Sequence, residues 1–285
     1  MTSHQSIQNH INQLINTKEN ANCECEGAPT LTRLDGKSGN QVYLVKHNNQ
    51  SCYVIKVFLQ RDERQYEIKS YEFLRQNGFK TVKVLKCFDD DVYHYMCLEW
   101  ANGQPISKIV KVCADDHDKL YTIGSKLGLL LRRIHEIRKI SVNQHVTKSE
   151  LLELIRFTKV NSLIRNEFLL NPGQFTYVHG DPSLDNLIID NDSTNVSNII
   201  IIDPGQLIKN TKDDMPRGFP GCDYNRFIFA AQLIAKRDKI HSIVHIIDGF
   251  KEGYGPTYTI FTKEANLLFG TYWNKVLHRH LNKMV

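Results

Sequence analysis

Val178-His179-Gly180-Asp181-Pro182-Ser183-Leu184-Asp185-Asn186-Leu187-Ile188-Ile189-Asp190, with Ile199-Ile200-Ile201-Ile202-Asp203 downstream, is the stretch on which the reading turns. Its first part is a short polar loop that carries a histidine, two aspartates and an asparagine. The runs Leu187 to Asp190 and Asn198 to Asp203 are rich in β-branched residues, and the turn-forming Asn191-Asp192-Ser193-Thr194-Asn195 joins them, so a hairpin is predicted. A hairpin brings the chain back to its starting end, which puts Asp203 in the neighbourhood of Asn186. Two oxygen-bearing side chains beside a third carboxylate suit a hard cation such as magnesium, which takes oxygen ligands and keeps some of its coordination for water and phosphate. Asp181 is then free to receive a proton.

Working outward, residues 31–58 read as three strands, Leu31 to Asp35, Gln41 to Lys46 and Ser51 to Phe58. Their turns are the glycine-bearing Asp35-Gly36-Lys37-Ser38-Gly39-Asn40 and the pair Asn48-Asn49. Asp62 can cap a helix that runs to about Gln76 and stops at Asn77-Gly78, with Tyr66, Ser70, Phe73 and Leu74 on its inner face. Two further strands, Val82 to Phe88 and Val92 to Leu98, flank the acidic turn Asp89-Asp90-Asp91. After Asn102-Gly103-Gln104-Pro105 the period changes. Leu120, Ile123, Leu127, Leu130 or Leu131, and Ile134 recur at steps of three and four, which predicts a long helix ending near His135. Residues 147–170, 226–250 and 262–283 read as further helices, with Gly253-Tyr254-Gly255-Pro256 as a break. The fold class is α+β: a small antiparallel sheet with one inserted helix, then a mainly helical half.

Composition sets the remaining bounds. The 285 residues are 41% hydrophobic and 24% charged, proportions that exclude disordered and fibrous classes and allow two packed domains with a cleft between them. The net charge of +5 is unevenly spread: residues 1–100 carry 12 basic and 12 acidic side chains, so the whole surplus lies in residues 101–285. So dilute an excess does not mark a nucleic-acid partner. Seven cysteines, at 23, 25, 52, 87, 97, 113 and 222, are odd in number and scattered, which fits free thiols in a reducing cytoplasm. Cys23-Glu24-Cys25 lacks the second pair a zinc site needs. Residues 1–22 are polar, with Ile7, Ile11, Leu14 and Ile15 spaced as in a short amphipathic helix, and do not resemble a signal peptide; no run is long and apolar enough for a membrane span.

His179, Asp181, Asn186 and Ile202-Asp203 together resemble the pattern of the aminoglycoside phosphotransferase and choline kinase family, small-molecule kinases built on the protein-kinase-like two-lobed fold. The resemblance implies ATP as phosphate donor, Mg2+ as cofactor and a small-molecule acceptor. It casts Asp181 as the catalytic base, Asn186 and Asp203 as magnesium ligands, and His179 as a residue that shapes the loop. It extends upstream. Gly36, Ser38, Gly39 and Asn40 sit in what looks like the nucleotide-covering turn, and Lys56 of Val54-Ile55-Lys56 occupies the place of the phosphate-pairing lysine. Glu67 matches that lysine's glutamate partner, with Glu63 and Glu72 as alternatives. Glu99 and Ala101 fall in what resembles the connector that meets the adenine edge. The implied domains are an extension over 1–29, a nucleotide-binding lobe over 30–101 and a catalytic, acceptor-binding lobe over 102–285.

Pro182 and Pro204-Gly205 depart from the usual family residues after the two aspartates, and leave the subfamily open. Asp223, in Pro220-Gly221-Cys222-Asp223, reads first as a helix N-cap, and secondarily as a residue of the site. Two other readings stand beside the small-molecule kinase: a nucleotide-binding scaffold without transferase activity, and a protein kinase, although no Asp-Phe-Gly or Ala-Pro-Glu segment is present. The acceptor is not legible. Asp185, Asp213 and Asp214 are the only concentrated acidic candidates for a cationic ligand, and Tyr258, Tyr272 and Trp273 suit the core better than a stacking platform.

Overall fold

The computed structural model describes residue 11 and residues 29–34, 41–48, 50–137, 176–190, 198–204, 217–218 and 220–256. The chain divides into two compact units, Met1–Ile68 with Val82–Ala101, and Lys69–Thr81 with Asn102–Val285. The segment Lys69–Thr81, which the sequence assigns to the first lobe, therefore groups with the second unit.

The first unit is built on a five-stranded antiparallel sheet of order β1-β2-β3-β5-β4, from β1 (Thr30–Leu34), β2 (Gln41–His47), β3 (Gln50–Phe58), β4 (Val84–Asp89) and β5 (His94–Glu99). Side chains alternate across a strand, so Tyr53, Ile55 and Val57 share one face of β3 while Lys56 lies on the other. The first face packs with Tyr43, Val45, Tyr95 and Cys97 into a core. Ile11, in a helical position of the amino-terminal segment, is fully buried in that same core. The β2–β3 turn is made at Asn48, whose left-handed φ of 49° is tolerated by asparagine better than by most residues.

Helix α1 (Arg61–Gln76) begins one residue before Asp62, so Asp62 is not its cap. Asp62 and Glu63 instead lie in the first turn, where carboxylates complement the positive end of the helix dipole. The helix stops as the sequence suggests, at Gly78 with φ 78°, where the N–H of Gly78 bonds the carbonyl of Arg75 at 3.0 Å and that of Phe79 the carbonyl of Leu74 at 3.0 Å.

In the second unit β6 (Gly103–Pro105), β8 (Leu187–Asp190) and β9 (Ile199–Ile201) form an antiparallel sheet in that order, and β7 (Thr176–Tyr177) pairs with β10 (Arg217–Gly218). Residues 103–105 include a glycine and a proline, both poor strand formers. They form a strand all the same, since only a glycine at 103 lets the backbone approach Ile189: an added Cβ would meet its carbonyl closer than 3.0 Å. Helices α2 (Ile106–Val112) and α3 (His117–Glu136) follow, α3 capped by the Asp116 carboxylate, which accepts the Lys119 N–H at 3.0 Å. The single helix expected over 226–250 is two, α4 (Pro220–Asp238) and α5 (Ile243–Tyr254), separated where Lys239 turns left-handed at φ 55°. The helices expected over 147–170 and 262–283 lie outside the described residues.

Helices α3 and α5 meet through glycine on both sides. A Cβ at Gly124 would strike the backbone of Ile246, at Gly128 that of Phe250, at Gly249 that of Tyr121 and at Gly253 that of Ser125, every one closer than 3.0 Å. Four residues separate the glycines of each pair, so one stripe per helix carries the contact. Around it Leu120, Ile123, Leu127, Leu131, Ile246 and Phe250 are buried in one core. Gly253→Ala is expected to cost about 3 kcal/mol, the upper range for overpacking, read as a lower urea midpoint at unchanged m-value. An unchanged midpoint would mean the helices have room to spare.

Candidate active site

The hairpin predicted from sequence is present, with Leu187 opposite Ile201, Ile188 opposite Ile200 and Ile189 opposite Ile199. It closes below its first strand, where the N–H of Ile202 donates to the carbonyl of Asn186 at 3.0 Å. Asn186 and Asp203 are thereby neighbours. The loop before it is held from within: the Asn186 amide donates from Nδ2 to the carbonyl of Asp181 at 3.0 Å, which turns its Oδ1 the other way, and the N–H of Ser183 bonds the same carbonyl at 2.7 Å. Gly180 sits at φ 85°, a conformation that suits glycine.

His179 is buried, and its Nδ1 accepts the N–H of Asp181 at 3.2 Å. Burial holds its pKa below the usual histidine value, against the opposing pull of Asp223, Asp181 and Asp203, so the ring is neutral with its proton on Nε2. That Nε2 has no hydrogen-bond partner among the described residues. The ring's work is therefore done from Nδ1, on the shape of the loop.

Asp223 is not an N-cap. Helix α4 starts three residues earlier, at Pro220, and the fully buried Asp223 carboxylate turns away from its own helix. Oδ2 accepts the N–H of His179 at 2.6 Å and Oδ1 the N–H of Gly180 at 2.9 Å, so one carboxylate grips two consecutive peptides of the loop. Behind it, His135 of α3 donates from Nε2 to Asp223 Oδ2 at 3.3 Å, and His135 Nδ1 is 2.7 Å from the hydroxyl of Tyr254 at the end of α5. Burial raises Tyr254 far above the ordinary phenol range, so its hydroxyl stays protonated. Three helices thus meet on the loop through a buried polar chain. One turn further along α4, the guanidinium of Arg226 donates from Nε to Asp181 Oδ1 at 2.9 Å.

Asp203 adopts a left-handed backbone, φ 49°, which costs of order 1 kcal/mol for a residue with a side chain. Its N–H donates to the hydroxyl of the buried Tyr71, from α1, at 2.9 Å, and the neighbouring Ser70 carbonyl accepts the Tyr177 hydroxyl at 3.3 Å. These bonds fix the backbone that carries the carboxylate. Among the described residues no three histidine, cysteine or acidic side chains gather as a metal cluster. Asn186 and Asp203 offer side-chain oxygens of the kind that would suit a magnesium ion whose other ligands are phosphate and water.

In the first unit, Lys56 and Glu67 form a buried ion pair, Nζ to Oε2 at 2.6 Å, so of the three glutamates open to Lys56 the structure selects Glu67. Lys56 also stands 5.3 Å from the ring centre of Phe58. Glu99 ends β5, with its N–H on the carbonyl of Lys83 at 2.9 Å, and Ala101 follows, buried. Gly36, Ser38, Gly39 and Asn40 lie outside the described residues. Sequence reasoning missed His135, Arg226 and Tyr71 as parts of the loop's support and misjudged Asp223.

An antiparallel sheet with a helix bearing the glutamate partner of its central lysine, and a helical unit with a loop and hairpin bearing aspartate, asparagine and aspartate, define an α+β protein of the protein-kinase-like fold. The profile of the phosphotransferase enzyme family matches residues 30–205. The chain belongs to that family. Among solved structures it is similar to an aminoglycoside-3'-phosphotransferase of type VIII (TM-score 0.55, 15% identity, 86% of this chain and 93% of that one). It is also similar to the aminoglycoside phosphotransferase APH(3'')-Id of Streptomyces rimosus (0.54, 15%, 87% and 92%) and to an ethanolamine kinase of Plasmodium vivax (0.58, 11%, 100% and 84%). No curated protein matches the chain. Among the described residues no helix is long and apolar enough to cross a membrane.

Proposed function

We propose that the protein transfers the γ-phosphate of ATP to a hydroxyl of a small molecule, with magnesium as cofactor. The observation that carries this is the closure of the hairpin, Ile202 N–H on Asn186 carbonyl, which brings Asp203 next to Asn186 at the end of the loop that bears Asp181. In this reading Lys56, held by Glu67, offsets charge on the α and β phosphates, and Gly36, Ser38, Gly39 and Asn40 cover them with backbone N–H groups. Glu99 and Ala101 meet the adenine edge. Asn186 and Asp203 would hold magnesium, which when bound neutralises charge on the phosphates. Asp181 orients the acceptor hydroxyl and takes its proton as the new O–P bond forms, the bond from the γ-phosphorus to the bridging oxygen breaks and ADP leaves. Positioning and charge supply most of the acceleration, because phosphoryl transfer passes through a loose transition state.

A structure of the Streptomyces rimosus enzyme in complex with ADP and streptomycin supports a nucleotide in this role. The acceptor belongs to the aminoglycoside, choline, sugar or amino-alcohol class, and the positive surplus of residues 101–285 weighs against the most strongly cationic of these. The thiols of Cys87, Cys97 and Cys113 fit a cytoplasmic protein.

The test is an ADP-release screen over aminoglycosides, choline, ethanolamine, sugars and nucleosides, with magnesium omitted in parallel. Magnesium-dependent transfer to at least one acceptor is expected. ATP binding without transfer to any of them would leave a nucleotide-binding scaffold in place of an enzyme.

A further inference from the structure

One face of α4 reads three consecutive residues of the loop. Asp223 takes the peptide N–H groups of His179 and Gly180, and Arg226, three residues on and so on the same side of the helix, takes the side chain of Asp181. The two contacts differ in kind. Asp223 is fully buried and fixes backbone, whereas Arg226 and Asp181 keep about a third of their side chains in solvent, 29% and 35%. An ion pair so exposed contributes little to stability. Its geometry nevertheless constrains the one group the reaction depends on. The terminal torsion of an aspartate is broad and roughly two-fold, so a lone carboxylate samples many orientations. The Arg226 Nε donates to Oδ1, and Oδ2 of Asp181 carries no protein hydrogen bond among the described residues.

We propose that Arg226 is a positioning residue for phosphoryl transfer: it fixes the Asp181 carboxylate through Oδ1 and so presents Oδ2 to the acceptor hydroxyl. This rests on the reading of Asp181 as the base. Arg226 acts through Asp181 and on the turnover step, and has no part in holding the nucleotide. A lysine reaches the same oxygen only as a mobile point charge and replaces the planar donor in part.

The experiment is a double-mutant cycle of Arg226→Gln and Asp181→Asn, with Arg226→Lys as a conservative variant. Activity is read as magnesium-dependent ADP release with ethanolamine, kanamycin, glucose and water in turn as acceptor, and folding by thermal melting. Arg226→Gln is expected to lower kcat by about 10–100-fold, the cost of a misplaced catalytic group. The KM for ATP stays within about twofold and the melting temperature is preserved, as expected of an exposed pair. Arg226→Lys recovers part of the loss. In the Asp181→Asn background the same change has no further effect, because the two residues act as one unit. Independent, multiplicative losses would overturn the proposal, as would a raised KM for ATP with kcat unchanged, or a higher kcat in Arg226→Gln, which would make the pair a restraint on the base. A wild-type protein that binds ATP and transfers phosphate to none of these acceptors, water included, removes the functional reading itself. An active wild type with a non-coupled cycle removes the role of Arg226 alone.

Discussion

Asp181→Ala is expected to lower turnover by about 10²–10⁴-fold, the usual worth of a positioned acid–base group, while affinity for magnesium-ATP changes little. The separation of the two effects follows from which atoms of Asp181 are used for what. The loop is held through its backbone: its carbonyl accepts from the Asn186 amide and from Ser183, and its N–H donates to His179. None of those bonds is lost when the side chain is cut back to a methyl group. The carboxylate itself bonds only Arg226 among the described residues. Asn186 and Asp203 therefore stay in register, and so does any cation and nucleotide they hold. Calorimetric titration with magnesium-ATP, set beside ADP release, separates binding from turnover. Near wild-type rates in the alanine variant would end the assignment of Asp181 as base.

Asp223→Ala is expected to be the most damaging single change outside the reacting groups. It strips the acceptor from two buried peptide N–H groups and from His135 at once, and uncompensated buried partners of a charged group cost about 3–5 kcal/mol. The same loss frees the loop, so turnover falls as well. Asp223→Asn discriminates the mechanism. Its amide offers one oxygen where the carboxylate offers two, so one of the two N–H groups meets an NH2 instead of an acceptor. Denaturant unfolding and turnover are both expected to fall between wild type and Asp223→Ala. Equal stability of all three proteins would show that the loop is held by something other than this carboxylate.

The parts of the molecule that were legible in the sequence are those set by local pattern. The β-branched runs of residues 187–203 announce a hairpin, and a hairpin brings back its starting end, so the return of Asp203 to Asn186 follows from spacing alone. Lys56 lies on an alternating strand and Glu67 on the next helix, and their resemblance to a known pair was enough to choose between three glutamates. What stayed hidden depends on contacts far apart in the chain. Nothing near Tyr71 indicates a bond to residue 203, and nothing near Arg226 indicates one to residue 181. Asp223 was misread for a definable reason. An aspartate ahead of a helical pattern is a good cap signal, but Pro220 was the better marker of the start, since proline's fixed φ suits the first helical position. The glycines of α3 and α5 were open to detection as two pairs at a spacing of four. The pattern Gly253-Tyr254-Gly255-Pro256 reads as a helix break, and only Gly255, at φ 70°, serves as one, while Gly253 stays inside α5.

Those glycines also set how the protein can vary. In an ordinary core a position tolerates several side chains of similar volume, because neighbours shift to accommodate them. Between α3 and α5 it is main chain that meets main chain, and main chain has no rotamers with which to adapt. Gly124, Gly128, Gly249 and Gly253 thus form four sites at which every substitution is an enlargement, while Leu127 and Phe250 beside them keep the usual latitude of apolar exchange. A saturation scan of the two helices would accordingly show four blank columns at a period of four, set in otherwise permissive ground.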